Sequence, residues 1–244
     1  TLDHTTPGTV SVADTLFKGG GGDDGYAAQF SSDASFIVAT TETGQTLHLI
    51  DSSNPASLSS DDDVTVGFRS RDVALTPDDA YVAVGHWNGG ATIKIFSISS
   101  GSLSLSSTTT IPNSGLGDGS IESLDFSPDG NYLVALGKND YNSTAHVWLY
   151  SHSSGSLTFV DSYSPGAGNV SGSSFSSSGP TFQFPEVSYN FAYSPDGNYI
   201  GCQVDNATSF NLLDSSSPSS LSSADTIASS VYYTTGARMS WSSY

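Results

Sequence analysis

The 244-residue chain sets 24 Asp plus Glu against six Lys plus Arg, a formal net charge of −18, which argues against binding along a nucleic-acid backbone. Only 12% of residues are charged and 36% hydrophobic, the rest being mostly Ser, Thr, Gly and Asn, a balance that favours short strands and many turns over long helices. A single cysteine, Cys202, leaves no internal disulfide and no cysteine-based zinc site, and no apolar run approaches the roughly 20 residues of a membrane-spanning helix.

In chain order, residues 9–17 alternate through Val10 and Val12 like an outer strand, and Gly19 to Asp24 reads as a flexible connector. From there a unit repeats. Its anchor is a corner, Ser31-Ser32-Asp33-Ala34, Thr76-Pro77-Asp78-Asp79, Ser127-Pro128-Asp129-Gly130 and Ser194-Pro195-Asp196-Gly197, at intervals of 45, 51 and 67 residues. Pro presets φ in the second place, and Asp followed by Gly or Asp tolerates the reversal, so each copy predicts a hairpin corner.

A first strand ends at each corner, at 26–30, 72–75, 123–126 and 190–193. A second opens with an aromatic residue: Phe36-Ile37-Val38-Ala39, Tyr81-Val82-Ala83-Val84, Tyr132-Leu133-Val134-Ala135 and Tyr199-Ile200-Gly201-Cys202. Third strands are predicted at 46–50, 92–98, 145–150 and 209–213, and fourth strands near 58–66, 103–111, 157–163 and 221–227. Four antiparallel strands per unit of about 40–50 residues mark a propeller blade. The expected fold is therefore an all-β, single-domain β-propeller over residues 1–244, with about four complete blades plus one partial blade. Residues 236–241 read as one more first strand, so closing the ring is expected to need strands from beyond Tyr244 or from another chain. Val38, Val84, Val134 and Ile200 are the expected inter-blade core.

The Ser-Pro-Asp-Gly-Asn-Tyr corner, followed by an apolar strand and then Ala145-His146-Val147-Trp148-Leu149-Tyr150, resembles WD-repeat and YVTN-type propellers over nearly the whole chain. Tyr81-Val82-Ala83-Val84-Gly85-His86 with Ile93-Lys94-Ile95-Phe96 also resembles propeller segments of bacteriophage structural and cell-surface proteins. The resemblance implies the blade architecture and not one function, since such propellers serve many unrelated roles.

The 67-residue interval contains a loop insertion at 164–185, rich in Gly, Ser and Pro. Phe175, Phe182 and Phe184 within it are the candidate binding patch. No Gly-x-Ser-x-Gly elbow lies between a strand and a helix. Among the histidines, only His146 and His152 are close in sequence, and they straddle a strand end. No metal or other cofactor is expected. Asp23-Asp24 and Asp61-Asp62-Asp63 are the only candidates for calcium, and neither matches a calcium-loop motif.

These features predict a non-enzymatic structural or binding module, extracellular or on a virion surface, that mediates assembly or attachment to a receptor or glycan. Its partners would be protein neighbours or such a receptor, and an oligomer fits this role. The alternative is a lactonase-like propeller hydrolase, a type that shares these corners and places its site at the central channel. Basic and acidic groups would have to converge there, and Arg71, Glu122 and Arg238 are the residues that reading selects.

Overall fold

The computed structural model describes residues 2–3, 11–12, 15–16, 25–87, 92–111, 120–138, 144–167, 173–174, 181–183, 190–194, 196–203, 209–217 and 220–228. Every described element is a strand. Strands β1 (Leu2–Asp3) and β2 (Ser11–Val12) pair with each other, so the described part of the expected N-terminal outer strand closes locally and does not join a fifth blade.

Blade one holds β3 (Gly25–Phe30), β4 (Phe36–Thr41), β5 (Thr46–Asp51) and β6 (Ser59–Thr65). Blade two holds β7 (Arg69–Leu75), β8 (Tyr81–Trp87), β9 (Thr92–Ser99) and β10 (Ser102–Thr110). Blade three holds β11 (Ser120–Phe126), β12 (Tyr132–Lys138), β13 (Thr144–Ser153) and β14 (Ser156–Ala167). Two short strands of the insertion follow, β15 (Ser173–Ser174) and β16 (Thr181–Gln183), before blade four with β17 (Asn190–Tyr193), β18 (Tyr199–Gln203), β19 (Ser209–Asp214) and β20 (Ser222–Ala228). Within each blade the four strands lie side by side in sequence order, all antiparallel.

Two described stretches of the insertion join the blades. β15 pairs parallel with β17, and β16 pairs antiparallel with β3, with Phe182 opposite Ala28. Both partners are first strands, whose outer neighbours are already paired, so the insertion adds a strand to the edge that would otherwise leave amides and carbonyls without partners. Phe175 and Phe184 lie outside the described residues.

The corners repeat down to single hydrogen bonds. The hydroxyls of Ser31, Ser127 and Ser194 donate to Asp33, Asp129 and Asp196 at 2.9, 2.6 and 2.5 Å. The same oxygens accept the amides of Phe36, Tyr132 and Tyr199, as Thr76 accepts that of Tyr81. The fourth corner residue takes positive φ each time, 59° at Ala34 and Asp79, 72° at Gly130 and 73° at Gly197.

Three apolar clusters fill the gaps between successive blades. Val38, Val84, Val134 and Ile200 are all fully buried in them. They are not equivalent positions, however. Val38 and Val134 face the following blade, whereas Val84 and Ile200 face the preceding one. Side chains alternate along a strand, so second strands that are apolar at every position fill both gaps.

Candidate functional site at the inner strands of blades two and three

The first strands of blades two and three run three residues further than the expected 72–75 and 123–126, starting at Arg69 and Ser120. The extra residues lie beyond a β-bulge. Pairing with the second strand shifts between Ser70 and Val73 in β7 and between Ile121 and Ser123 in β11, as it does between Gly25 and Ala27 in β3. A bulge re-aims the residues within it. Here those include Arg71 and Glu122, each five residues before its corner.

The bulges bring the two together. Arg71 Nη1 donates to Glu122 Oε2 at 3.0 Å, and Ser120 Oγ donates to Glu122 Oε1 at 2.8 Å. The Arg71 guanidinium lies 3.7 Å from the centre of the Trp87 ring, and that of Arg69 lies 5.9 Å from the same ring. Arg69 in turn approaches Glu42, in the turn between β4 and β5, at 3.5 Å. A continuous chain Glu42–Arg69–Trp87–Arg71–Glu122–Ser120 thus crosses three blades at the end opposite the corners.

Burial assigns different roles to the two partners. The Glu122 side chain is 0% exposed with both oxygens occupied, whereas Arg71 keeps 20% of its surface in solvent. Glu122 is therefore a counterion that fixes the guanidinium, and Arg71 is the group a ligand can reach. Arg238, the third residue of the hydrolase reading, lies outside the described residues.

Two further buried acids lie between the same inner strands. Asp72 accepts the Leu124 amide at 2.8 Å, the Ser123 hydroxyl at 3.0 Å and the Val73 amide at 3.0 Å, pinning blade two to blade three. Asp125 is buried with neither carboxylate oxygen in a completed hydrogen bond. Burial, and then the charge of Asp72, push its pKa well above the usual carboxylate range; the backbone of Tyr193 and Phe126 only partly offsets this.

Among the described residues no three His, Cys, Asp or Glu side chains gather as a metal site requires. Of the calcium candidates, Asp62 accepts the Leu103 amide of blade two and Asp63 holds His48 Nδ1 at 2.7 Å; Asp23 and Asp24 lie outside the described residues. His146 stacks on Trp148, while His152 bonds the Gly130 carbonyl at a corner, so the two histidines do not converge.

A cleft of about 510 Å³ opens between the corners of blades two and three, lined in part by Asp78, Tyr81, Asp129 and His152. One of about 490 Å³ repeats it between blades three and four. Their carboxylates are spent within the corners themselves, Asp78 on the Ala80 amide and Asp129 on Ser127 and Asn131.

No family model and no curated protein sequence matches the chain. Solved structures do. A candidate 6-phosphogluconolactonase of Bacteroides uniformis aligns with a TM-score of 0.71 at 18% identity over 93% of this chain and 64% of its own. The periplasmic gluconolactonase of Pseudomonas aeruginosa aligns with a TM-score of 0.63 at 16% identity, over 85% and 55%. The Cps50 (Swd1) propeller domain of Myceliophteria thermophila aligns with a TM-score of 0.52 at 14% identity, over 78% and 53%.

The fold is a β-propeller. The chain spans 64% of the length of the Bacteroides protein. The propeller part of the sequence resemblance stands, and the virion and phage part gains no support. The expected non-enzymatic attachment or assembly module is corrected as well, because the similar structures include a candidate 6-phosphogluconolactonase and a gluconolactonase.

Proposed function

We propose that this chain carries the active site of a lactonase-like propeller hydrolase that opens an anionic lactone of the gluconolactone class. The observation that carries the reading is the Arg71 guanidinium, partly exposed at the inner edge and clamped between the buried Glu122 and the Trp87 ring. Lactone opening builds negative charge on the carbonyl oxygen, and a preorganised cation there stabilises it without reorganising at the moment of reaction. The pair and ring do that preorganising.

The charge pattern supports an anionic substrate. Four of the chain's six basic residues, Arg69, Arg71, Lys94 and Lys138, fall on β7, β9 and β12, and two of its three glutamates, Glu42 and Glu122, stand beside the arginines. On a chain of net charge −18, cations gathered on these strands give an anion points of attachment there. Of the substrates that the names of the similar proteins print, 6-phosphogluconolactone is such an anion and gluconolactone its uncharged parent. An extracellular setting, suggested by the Ser- and Thr-rich, lysine-poor sequence, is part of the same proposal.

The test is the rate of opening of glucono-δ-lactone and its 6-phosphate by the purified full chain, measured above the spontaneous rate. The wild-type protein is expected to accelerate opening, with the 6-phosphate preferred, and Arg71→Ala to lose roughly 100-fold or more. A wild-type rate equal to the spontaneous one on both lactones would refute the proposal.

A further inference from the structure

The hydrolase reading leaves open which group activates water, and the geometry points to Glu42: we propose that it is the general base of the site, held in place by Arg69. This rests on the lactonase reading. Access to solvent separates the acids of this end among the described residues. Glu122 is sealed from solvent with both oxygens bonded, and Asp72 is buried with its oxygens spent on the Leu124 and Val73 amides and the Ser123 hydroxyl. Asp125 is buried away from solvent, and burial pushes its pKa above the usual carboxylate range. His86 stacks on Phe68 with ring centroids 4.4 Å apart, and it precedes Trp87 on β8, where successive side chains turn to opposite faces.

Glu42 differs from all of these. Its side chain keeps 15% of its surface exposed, and its contact with Arg69 is a single long approach of 3.5 Å, not a closed fork. Arg69 stands opposite Trp87 in the β7–β8 ladder and Trp87 stacks on Arg71, so the carboxylate belongs to the same cluster as the cation that would polarise the lactone. It comes from the β4–β5 turn of blade one and Arg71 from β7 of blade two.

In the proposed step Glu42 takes a proton from water while the water oxygen bonds to the lactone carbonyl carbon, and Arg71 bears the charge that develops on the carbonyl oxygen. Collapse of the tetrahedral intermediate breaks the ring carbon–oxygen bond. The ring oxygen leaves with the proton held by Glu42, giving the hydroxy acid and restoring the carboxylate.

The test compares Glu42→Gln, Glu42→Asp and Arg71→Ala with the wild-type full chain on 6-phosphoglucono-δ-lactone across pH. Glu42→Gln is expected to lower kcat by about 100-fold or more with KM within about threefold, and to flatten the acidic limb of the rate profile. If Glu42→Gln does not fold, Glu42→Asp, which keeps the carboxylate, is expected to lower kcat while retaining that limb. Wild-type kcat and an unchanged profile in the folded Gln variant, or an unchanged kcat in the Asp variant, overturn the assignment while the lactonase reading stands on the loss in Arg71→Ala. A wild-type protein with no activity overturns both.

Discussion

At the scale of single residues, the acids whose pKa is displaced by their surroundings fall into two groups with opposite pH behaviour. Asp33, Asp78 and Asp196 sit below the usual carboxylate value of 3.8 chiefly because the hydroxyls of Ser35, Thr76 and Ser194 bond the ionised form. At Asp129 burial acts upward, but bonds from Ser127 and Asn131 outweigh it. A folded pKa below the unfolded one gives stability that is present above the unfolded value and lost as pH falls through the folded one. The thermal midpoint is therefore expected to drop as pH is lowered below about 4, and Asp129→Asn to lessen that drop. Asp125 works the other way. Its folded pKa is raised, so it costs stability increasingly as pH climbs above the unfolded value. Asp125→Asn is expected to raise the thermal midpoint at pH 7 and to change it little near pH 3.5; a lower midpoint at pH 7 would mean that the buried carboxylate is paired.

At the scale of strands, the corners, the four-strand unit and the apolar second strands were legible in the sequence because each is a local pattern. Ser-Pro-Asp-Gly fixes a turn by its own hydrogen bonds, and alternation fixes which residues are buried. The bulges were not legible. Beyond Asp72 and Ser123 an extra residue breaks the period of two, so Arg69 to Arg71 and Ser120 to Glu122 read as approach loops although they are strand. Arg71 and Glu122 were selected only as rare charges near the expected channel, and nothing in the spacing showed that they touch. Glu42, Ser120 and Trp87 were missed, because contacts between blades leave no local signal. The fate of the insertion was missed for a related reason: composition marks 164–185 as a loop, while the pairing of Thr181–Gln183 with β3 is decided by the unfilled edge of a distant blade.

Two substitutions test this strand account. Val134 is fully buried between blades three and four, so Val134→Asp should cost several kcal/mol, on the order of 3–5, and abolish the cooperative thermal transition. Gly137 pairs with Ile121 beside the bulge of β11, and a Cβ there would lie 2.3 Å from the Ser120 carbonyl oxygen and 2.8 Å from Trp148. Since backbone cannot rotate aside, Gly137→Ala is expected to lower stability by about 1–3 kcal/mol in denaturant unfolding. An unchanged midpoint would mean that β11 and β12 do not approach so closely.

At the scale of the whole molecule, the blades divide labour by end. The corner end repeats the same satisfied Asp–Ser turn and the same cleft, so it offers copies of a structure and no singular site. The opposite end breaks the repeat, and among the described residues it carries Arg69, Arg71, Glu42 and Glu122 on blades one to three. The central claim is that ligand binds there. The most direct measurement is an indole-region nitrogen–proton correlation spectrum of the full chain titrated with 6-phosphogluconate, the product of the proposed reaction, with Trp87→Phe assigning one of the three tryptophan signals. The account predicts a saturable shift of the Trp87 signal that is lost in Arg71→Ala, and a Trp87 signal that does not move at millimolar product would contradict it.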